Sequence, residues 1–427
     1  MREKKVFLIN AEWKEKSLLW AQSQDYCTYF NPNQYVYPED SFRHILAAGA
    51  LETFSPAEGV FDKLKEKLKK DPDWWIGYFS YDLKNEIEKL ESRLPDKVRF
   101  PEAVFFKPKT LIHFSDEEEA VIESVRPPQE IFEEISRTEF PRKPGSAPSS
   151  LLIKNMITKT DYLSKIKKLQ EHIVEGDIYE INFCQEFYGE NLSLDPLKLY
   201  QKLNTKSPTP FSVYAKFKHH FLCSASPERF LKKDGERLYS QPIKGTIRRG
   251  KNREEDNALK EVLFYDPKER AENLMIVDLV RNDLAKSAEA GSVQVSELFG
   301  IYSFPQVHQM TSTVTAKLRQ DVHPVDAIRN AFPMGSMTGA PKIRAMELSE
   351  KYEESKRGLY SGAIGYFTPE SDFDFSVVIR SLLYNEENRT LSYQVGSAIT
   401  IDSQPENEYN ECLLKAKAIK ETLNDFS

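Results

Sequence analysis

The apolar positions change period several times along the chain, and each change marks an expected element. Phe61 to Lys70, FDKLKEKLKK, spaces its apolar residues for a short charged helix. Trp74 to Asp82, WWIGYFSYD, is an apolar aromatic run of strand length, bounded by Asp-Pro-Asp and suited to the centre of a sheet. From Val125 to Ser150 proline, glycine, serine and charge take over, the mark of an exposed connection around one short helix. A boundary is therefore expected near residue 150, dividing an N-terminal subdomain packed on the core (1–150) from a catalytic domain (151–427). Thr160 to Glu175 has apolar residues at Leu163, Ile166, Leu169 and Ile173 and a stop at Gly176, which predicts a helix. IYEINFCQEFYG alternates as a strand, and PFSVYAKF and FLCSASPERFL form a strand pair joined through His219 and His220. Glu254 to Leu263 and Pro267 to Asp283 read as helices, the second with proline in its first turn. Strands follow at GLYSGAIGYF, DFSVVIRSLLY and LSYQVGSAITI, and one helix over Glu406 to Leu423 closes the chain. Many strands with irregularly placed helices predict an α+β architecture of large antiparallel or mixed sheets flanked by helices.

Composition narrows the picture further. A chain of 427 residues that is 40% hydrophobic and 12% aromatic can bury a sizeable core. The net charge of -7 and the lack of a basic run give no reason to expect nucleic acid or an anionic membrane as partner. MREKKVFLIN lacks the apolar stretch of a signal peptide and no run approaches membrane-spanning length, so a cytoplasmic location is expected. Cys27, Cys184, Cys223 and Cys412 are scattered, which favours buried free thiols over a disulfide frame or zinc site.

Two stretches gather candidate chemistry. QPIKGTIRRG, from Gln241 to Gly250, and PMGSMTGAPK, from Pro333 to Lys342, each set a lysine among glycine, proline and threonine, as in short connections where backbone N–H groups approach a ligand. Neither is a phosphate-binding loop, because Ala340 and Pro341 precede Lys342 and no hydroxyl residue follows it, so another small anion fits better. The helix that Pro341 begins would aim free N–H groups at the GSMTG turn. Glu269 shares a helix face with Glu272, and Glu408, Glu411 and Lys415 share another; spacing alone is equally met by solvated salt-bridge faces. Glu228 and Arg380 sit in apolar surroundings, where a charge needs a partner or a ligand. For Arg380, within a strand of valine, isoleucine and leucine, structural ion pair and substrate clamp stand open alike. By position alone, between Ile243 and Gly245, Lys244 favours a solvated reading over a site.

QPIKGTIRRG, RAENLMIVDLVRNDL, GSMTGAPKIRAMELSE, YSGAIGYF and DSQPENEYNECLLKA stand in the order found in the chorismate-utilising enzymes, the family of anthranilate synthase component I, aminodeoxychorismate synthase component I and the isochorismate and salicylate synthases. The resemblance covers about residues 152 to 424, with WWIGYFSYDL as a weaker match before it, and implies the anthranilate synthase component I-like chorismate-binding fold. Within the family, PIKGT resembles aminodeoxychorismate synthase component I, because anthranilate synthases typically carry alanine where Lys244 stands. The resemblance implies Glu272 and Glu411 as ligands of one Mg²⁺ against the ring carboxylate, and hard carboxylate oxygens suit that ion. It implies Arg380 and Lys415, with backbone N–H groups near Gly396 and Gly339, as holders of the substrate carboxylates. Glu228 matches the general acid for the departing C4 hydroxyl, which requires a raised pKa. Lys244 matches a nucleophile that attacks C2 before ammonia enters at C4. It must be neutral to do so, and desolvation or the nearby Arg248 would depress its pKa. Ser336 and Thr246 match substrate-facing positions.

Three departures from the family pattern stand out. Glu180 replaces the usual glutamine, and it is not the water-activating lysine of isochorismate synthases. Gln309, with His308 beside it, falls at a histidine position, and Gln309 is the expected substrate neighbour. GSAI replaces the commoner G-[AG]-G-I, which puts Ala398 at the carboxylate pocket. With no glutaminase motif in the chain, the resemblance implies a separate glutaminase subunit as ammonia source, with free ammonia a poorer substitute. The expected reaction is amination of chorismate to 4-amino-4-deoxychorismate in 4-aminobenzoate and folate biosynthesis. The alternatives are amination at C2 with pyruvate loss, as in anthranilate synthase component I, and a non-catalytic partner that binds a chorismate-like dianion.

Overall fold

In the computed structural model, which describes residues 2–35, 37–115, 118–140, 151–305 and 307–426, every strand pairing is antiparallel. One run of pairings leads from Glu3–Leu8 through Glu119–Ser124, Ala103–Phe114, Ile45–Phe54 and Tyr26–Asn31 to Phe211–Phe217. It continues through His220–Ser226, Ser381–Asn385 and Thr390–Ile399 to Glu180–Gly189. A second run leaves Ala103–Phe114 through Trp75–Phe79, Ala363–Phe367, Phe373–Val377, Arg229–Asp234 and Arg237–Gln241 to Val307–Lys317. The long Ala103–Phe114 strand is therefore the seam, its first residues pairing in the second run and its last in the first.

Both faces of these strands are buried, and successive residues enter different cores because strand side chains alternate. Ile76 and Tyr78 meet Phe30, Phe211, Leu222 and Leu383 in a core between the two runs. Trp75 and Phe79 pack on the outer side with Val60, Leu64, Val277 and Ile328, under the helices Val60–Lys70, Pro267–Ala285 and Pro324–Ala331. On the far side Tyr29, Phe183 and Tyr393 pack against the helices Lys159–Val174, Pro196–Lys206 and Pro405–Lys415. Helices thus cover both outer faces, which is the expected α+β arrangement. The boundary expected near residue 150 lies outside the described residues. Strands on either side of it hydrogen-bond directly, Tyr26–Asn31 with Phe211–Phe217 and Trp75–Phe79 with Ala363–Phe367.

Four expectations need correction. DFSVVIRSLLY is two strands, Phe373–Val377 and Ser381–Asn385, which belong to different runs; Arg380, at φ +52°, turns the chain from one to the other. GLYSGAIGYF is strand only over Ala363–Phe367. QPIKGTIRRG is largely a strand, Ile243–Arg248, paired with Val307–Lys317; its register slips between Ile243 and Thr246, where Gly245 has φ +96°. The closing helix divides at Ala416 into Pro405–Lys415 and Lys417–Asn424. The buried cysteines are free, as expected. Among the described residues no helix is long and apolar enough to cross a membrane.

Gly77 and Gly365 face each other where strands from the two ends of the chain pair, and a Cβ on Gly77 would lie 2.0 Å from the Val104 carbonyl oxygen. Gly77→Ala should therefore cost about 1–3 kcal/mol by overpacking, read as a lower denaturant midpoint at unchanged slope.

Candidate functional site

Two helices bring acidic residues to one place. Pro267–Ala285 starts at a cap in which the Asp266 carboxylate accepts from the backbone N–H groups of Lys268 and Glu269, both at 2.9 Å. That start sets Glu269 and Glu272 one turn apart on one face. Pro405–Lys415 begins with proline and carries Glu408, Glu411 and Lys415 along its own face. Lys268 Nζ links the helices, 3.7 Å from Glu272 Oε1 and 3.8 Å from Glu408 Oε1. The bulged Ile243–Arg248 strand packs against the same group. A Cβ on Gly245 would sit 3.1 Å from Glu269 Oε2, and Asn273 donates to the Lys244 carbonyl at 3.4 Å.

Lys244 turns into this acidic cluster. Its ammonium donates to Glu180 Oε1 at 2.7 Å and lies 4.0 Å from Glu272 Oε2. Burial opposes its charge, but Glu180, Glu272 and Glu411 more than offset that, so its pKa is raised. This corrects the expected depression. Arg248, the expected cation, is exposed and bonds Glu255 at 2.6 Å instead.

The acids divide by environment. Burial pushes Glu228 up to about 7, even though Ser336 Oγ donates to its Oε1 at 2.6 Å and the charges of Lys244 and Lys415 pull the other way. Burial also pushes Glu269 to about 7, helped by the charges of Glu272 and Glu411. Burial raises Glu272 and Glu408. Glu411 alone of the group is lowered, because Lys415 lies 2.7 Å away. Lys415 also donates to the Gly396 carbonyl at 3.0 Å. Arg380 is half-buried and shares a cleft with Lys415, Ala225 and Leu414; among the described residues no ion pair or side-chain hydrogen bond engages its guanidinium. A half-buried cation with no such partner among the described residues is suited to an anionic ligand.

The turn with Ser336 and the strand with Glu180 are fixed to one another. Gly339 and Ala340 pair with Ile181 and Glu180, and at Gly339, φ +153°, a Cβ would collide with the Glu180 carbonyl at 2.2 Å. The buried Arg357 guanidinium donates to the carbonyls of Met337 at 2.6 Å and Asn182 at 2.8 Å, while Glu353 balances its charge.

Of the sequence candidates, Lys244, Glu228, Glu272, Glu411, Lys415, Arg380 and Ser336 are therefore joined by contacts or by charges strong enough to act on one another. Gly339 and Gly396 lie in the strands that carry them. Thr246 is exposed and stands opposite Gln309 in register; no hydrogen bond or ion pair among the described residues joins either to the cluster. His308 is tied up elsewhere, accepting or donating at 2.9 Å to Ser303 and 3.0 Å to Asp256. Lys268 and the contact of Glu180 with Lys244 were not foreseen.

A hard divalent cation fits the residues present. Glu272 Oε1 is buried without a hydrogen-bond partner among the described residues, and the carboxylates raise one another. The acidic group is open: no three of its carboxylates come within the 4.8 Å spacing found at His172, Glu175 and Asp177. That latter set is a salt-bridge network, with Asp177 bonded to His172 at 2.7 Å and Arg344 at 2.9 Å.

Comparison with known proteins assigns the class. Residues 12–421 match the chorismate binding enzyme family, and the chain belongs to it. It is 43% identical over 273 residues to the probable chloroplastic aminodeoxychorismate synthase of Oryza sativa subsp. japonica, covering 63% of this chain and 30% of that protein. It is 36% identical over 345 residues to aminodeoxychorismate synthase component 1 of Klebsiella aerogenes, covering 81% and 76%. The chain thus spans under a third of the rice relative's length. Anthranilate synthase component I from Streptococcus pneumoniae TIGR4 superposes with a TM-score of 0.78 at 27% identity, covering 91% and 94% of the two chains.

Glu228 makes a testable difference to stability. Its carboxyl rises from 4.5 to about 7 on folding, so stability is full below 4.5 and is lost as pH rises towards 7. Glu228→Gln should match the parent near pH 4 and exceed it by roughly 3 kcal/mol above pH 7, as measured by denaturant melts across that range.

Proposed function

We propose that the chain aminates chorismate at C4, giving 4-amino-4-deoxychorismate, the reaction of an aminodeoxychorismate synthase component I in 4-aminobenzoate and folate biosynthesis. The observation that carries this reading is the place of Lys244: a lysine amine held 2.7 Å from Glu180 at the edge of a carboxylate cluster, where a nucleophile for a small ring is needed. Arg380 and Lys415 take the two substrate carboxylates, the first as a planar fork and the second as a point charge. Glu228, pushed up to about 7 by burial and so still carrying its proton in a large fraction of molecules near neutral pH, gives that proton to the departing C4 oxygen. Ser336 fixes the rotamer of that carboxyl. Lys244 attacks C2 as the hydroxyl leaves, and ammonia then enters at C4 and expels the lysine.

Glu272 and Glu411 are the residues that would hold Mg²⁺, which when bound offsets the charge of a substrate carboxylate. The ammonia comes from a separate glutaminase subunit, and four free, buried thiols suit a reducing cytoplasm. The rival reading, anthranilate synthesis, is supported by the Streptococcus pneumoniae neighbour and opposed by the lysine at 244.

Incubating the purified chain with chorismate, Mg²⁺ and an ammonium salt should yield an aminated product that retains the enolpyruvyl group by mass spectrometry and lacks anthranilate fluorescence. Pyruvate release with a fluorescent product would establish the rival. Lys244→Ala should lower C4 amination by about a hundredfold or more. Glu272→Gln and Glu411→Gln should each weaken Mg²⁺ binding about tenfold or more in calorimetric titration, with the fold retained by circular dichroism.

A further inference from the structure

The identity of the base that frees the Lys244 amine can be read from its contacts. Glu180 opens the strand Glu180–Gly189, whose Ile181, Phe183 and Phe187 point into the helix-covered core and whose Glu180, Asn182 and Glu186 point the other way. Its backbone is locked against Ala340, its side chain is 1% exposed, and Oε1 accepts from Lys244 Nζ at 2.7 Å. Oε2 is buried and has no hydrogen-bond partner among the described residues. That oxygen is free to carry a proton while Oε1 keeps its contact with the lysine. Other acids are less well placed: Glu272 is 4.0 Å from the ammonium, beyond hydrogen-bond reach, and Glu228 is bonded to Ser336.

We infer that Glu180 is a catalytic base, taking from the Lys244 ammonium the proton that must leave before the nitrogen can bond to the ring. The inference rests on the reading of Lys244 as nucleophile and extends it. The exchange runs uphill, because the same carboxylate favours the charged lysine, and it leaves a neutral amine and a carboxylic acid that formation of the N–C2 bond then draws on. The amine's lone pair forms the N–C2 bond, the two ring double bonds each shift by one position, the C4–O bond breaks, and the Glu228 proton leaves with the oxygen as water. When ammonia adds at C4 the double bonds shift back, the C2–N bond breaks, and the lysine departs as an amine. Glu180 then returns its proton to the lysine, and the ammonium formed at C4 gives one proton back to Glu228. Glutamine, the residue expected here from the family pattern, could hold the lysine but could not take up a proton.

The test follows adduct formation directly. The parent chain, Glu180→Gln, Glu180→Asp and Lys244→Ala are each mixed with chorismate and Mg²⁺ without ammonium, quenched in acid, and weighed intact for a mass gain of chorismate less water. Thermal protection by chorismate and Mg²⁺ is measured alongside. The expected result is an adduct in the parent and none in Lys244→Ala. Glu180→Gln should form it about a hundredfold more slowly with ligand protection intact, and Glu180→Asp should recover part of the rate. Adduct formation in Glu180→Gln as fast as in the parent, or faster because the lysine has lost an anion, would overturn the role of Glu180 and leave that of Lys244 standing. No adduct in the parent, with equal C4 amination by Lys244→Ala, would remove both. Loss of ligand protection in Glu180→Gln would mark Glu180 as a binding residue and overturn its role as base.

Discussion

Like charges confined in a small space govern this molecule. Glu180, Glu269, Glu272, Glu408 and Glu411 share one region with Lys244, Lys268 and Lys415. Two unit charges about 4 Å apart interact by roughly 4 kcal/mol near a protein surface, so five acids against three bases leave a strain that burial enlarges. The carboxyls respond in the way electrostatics requires. Glu269 moves to about 7 and Glu272 and Glu408 rise, while Glu411, beside Lys415, falls. A bound divalent ion would relieve that strain, and Arg380, which has no ion pair among the described residues and shares a cleft with Lys415, would meet an anion.

The fold exists to hold these charges against their repulsion. Each acidic helix begins with a proline, and the Asp266 cap fixes the first of them to within one rotamer set. The Lys244 strand bulges at Gly245, where the backbone comes against Glu269, and Lys244 turns toward Glu180 and Glu272. Arg357 ties the turn of Ser336 to the strand of Glu180 through two carbonyls, so the partners of Glu228 and Lys244 are referred to the same buried cation. Together they make the separation of Glu228 from Lys244 a property of two sheets rather than of loose side chains.

Much of this was legible in the chain. Period and capping residues located the Val60–Lys70, Lys159–Val174 and Pro267–Ala285 helices within a residue or two, and the start of the Trp75–Phe79 strand within one, although that strand ends three residues earlier than expected. The i, i+3 pairs Glu269/Glu272 and Glu408/Glu411 were visible as faces, although spacing could not separate a site from a solvated surface. What stayed hidden depends on tertiary neighbours. Nothing local marks the break at Arg380, because VVIRSLL passes through it without glycine or proline, and only the two runs of strands on either side decide the turn. The pKa of Lys244 was expected to fall because burial is local and easily foreseen, whereas the carboxylates that reverse its sign come from residues 64, 28 and 167 positions away along the chain, at Glu180, Glu272 and Glu411. For the same reason the contact that gives Glu180 its meaning could not be found before the strands were paired.

The central claim is that distant acidic and basic side chains meet around one dianionic ring and one divalent ion. A crystal structure of the chain soaked with Mg²⁺ and chorismate, or a non-reacting analogue of it, tests this most directly. The account predicts density for the ion between Glu272 and Glu411, a ring carboxylate on Arg380 or Lys415, and the Lys244 nitrogen in van der Waals contact with C2. A ring bound elsewhere, or bound with Lys244 still turned away from it and Glu228 out of reach of the C4 oxygen, would contradict it.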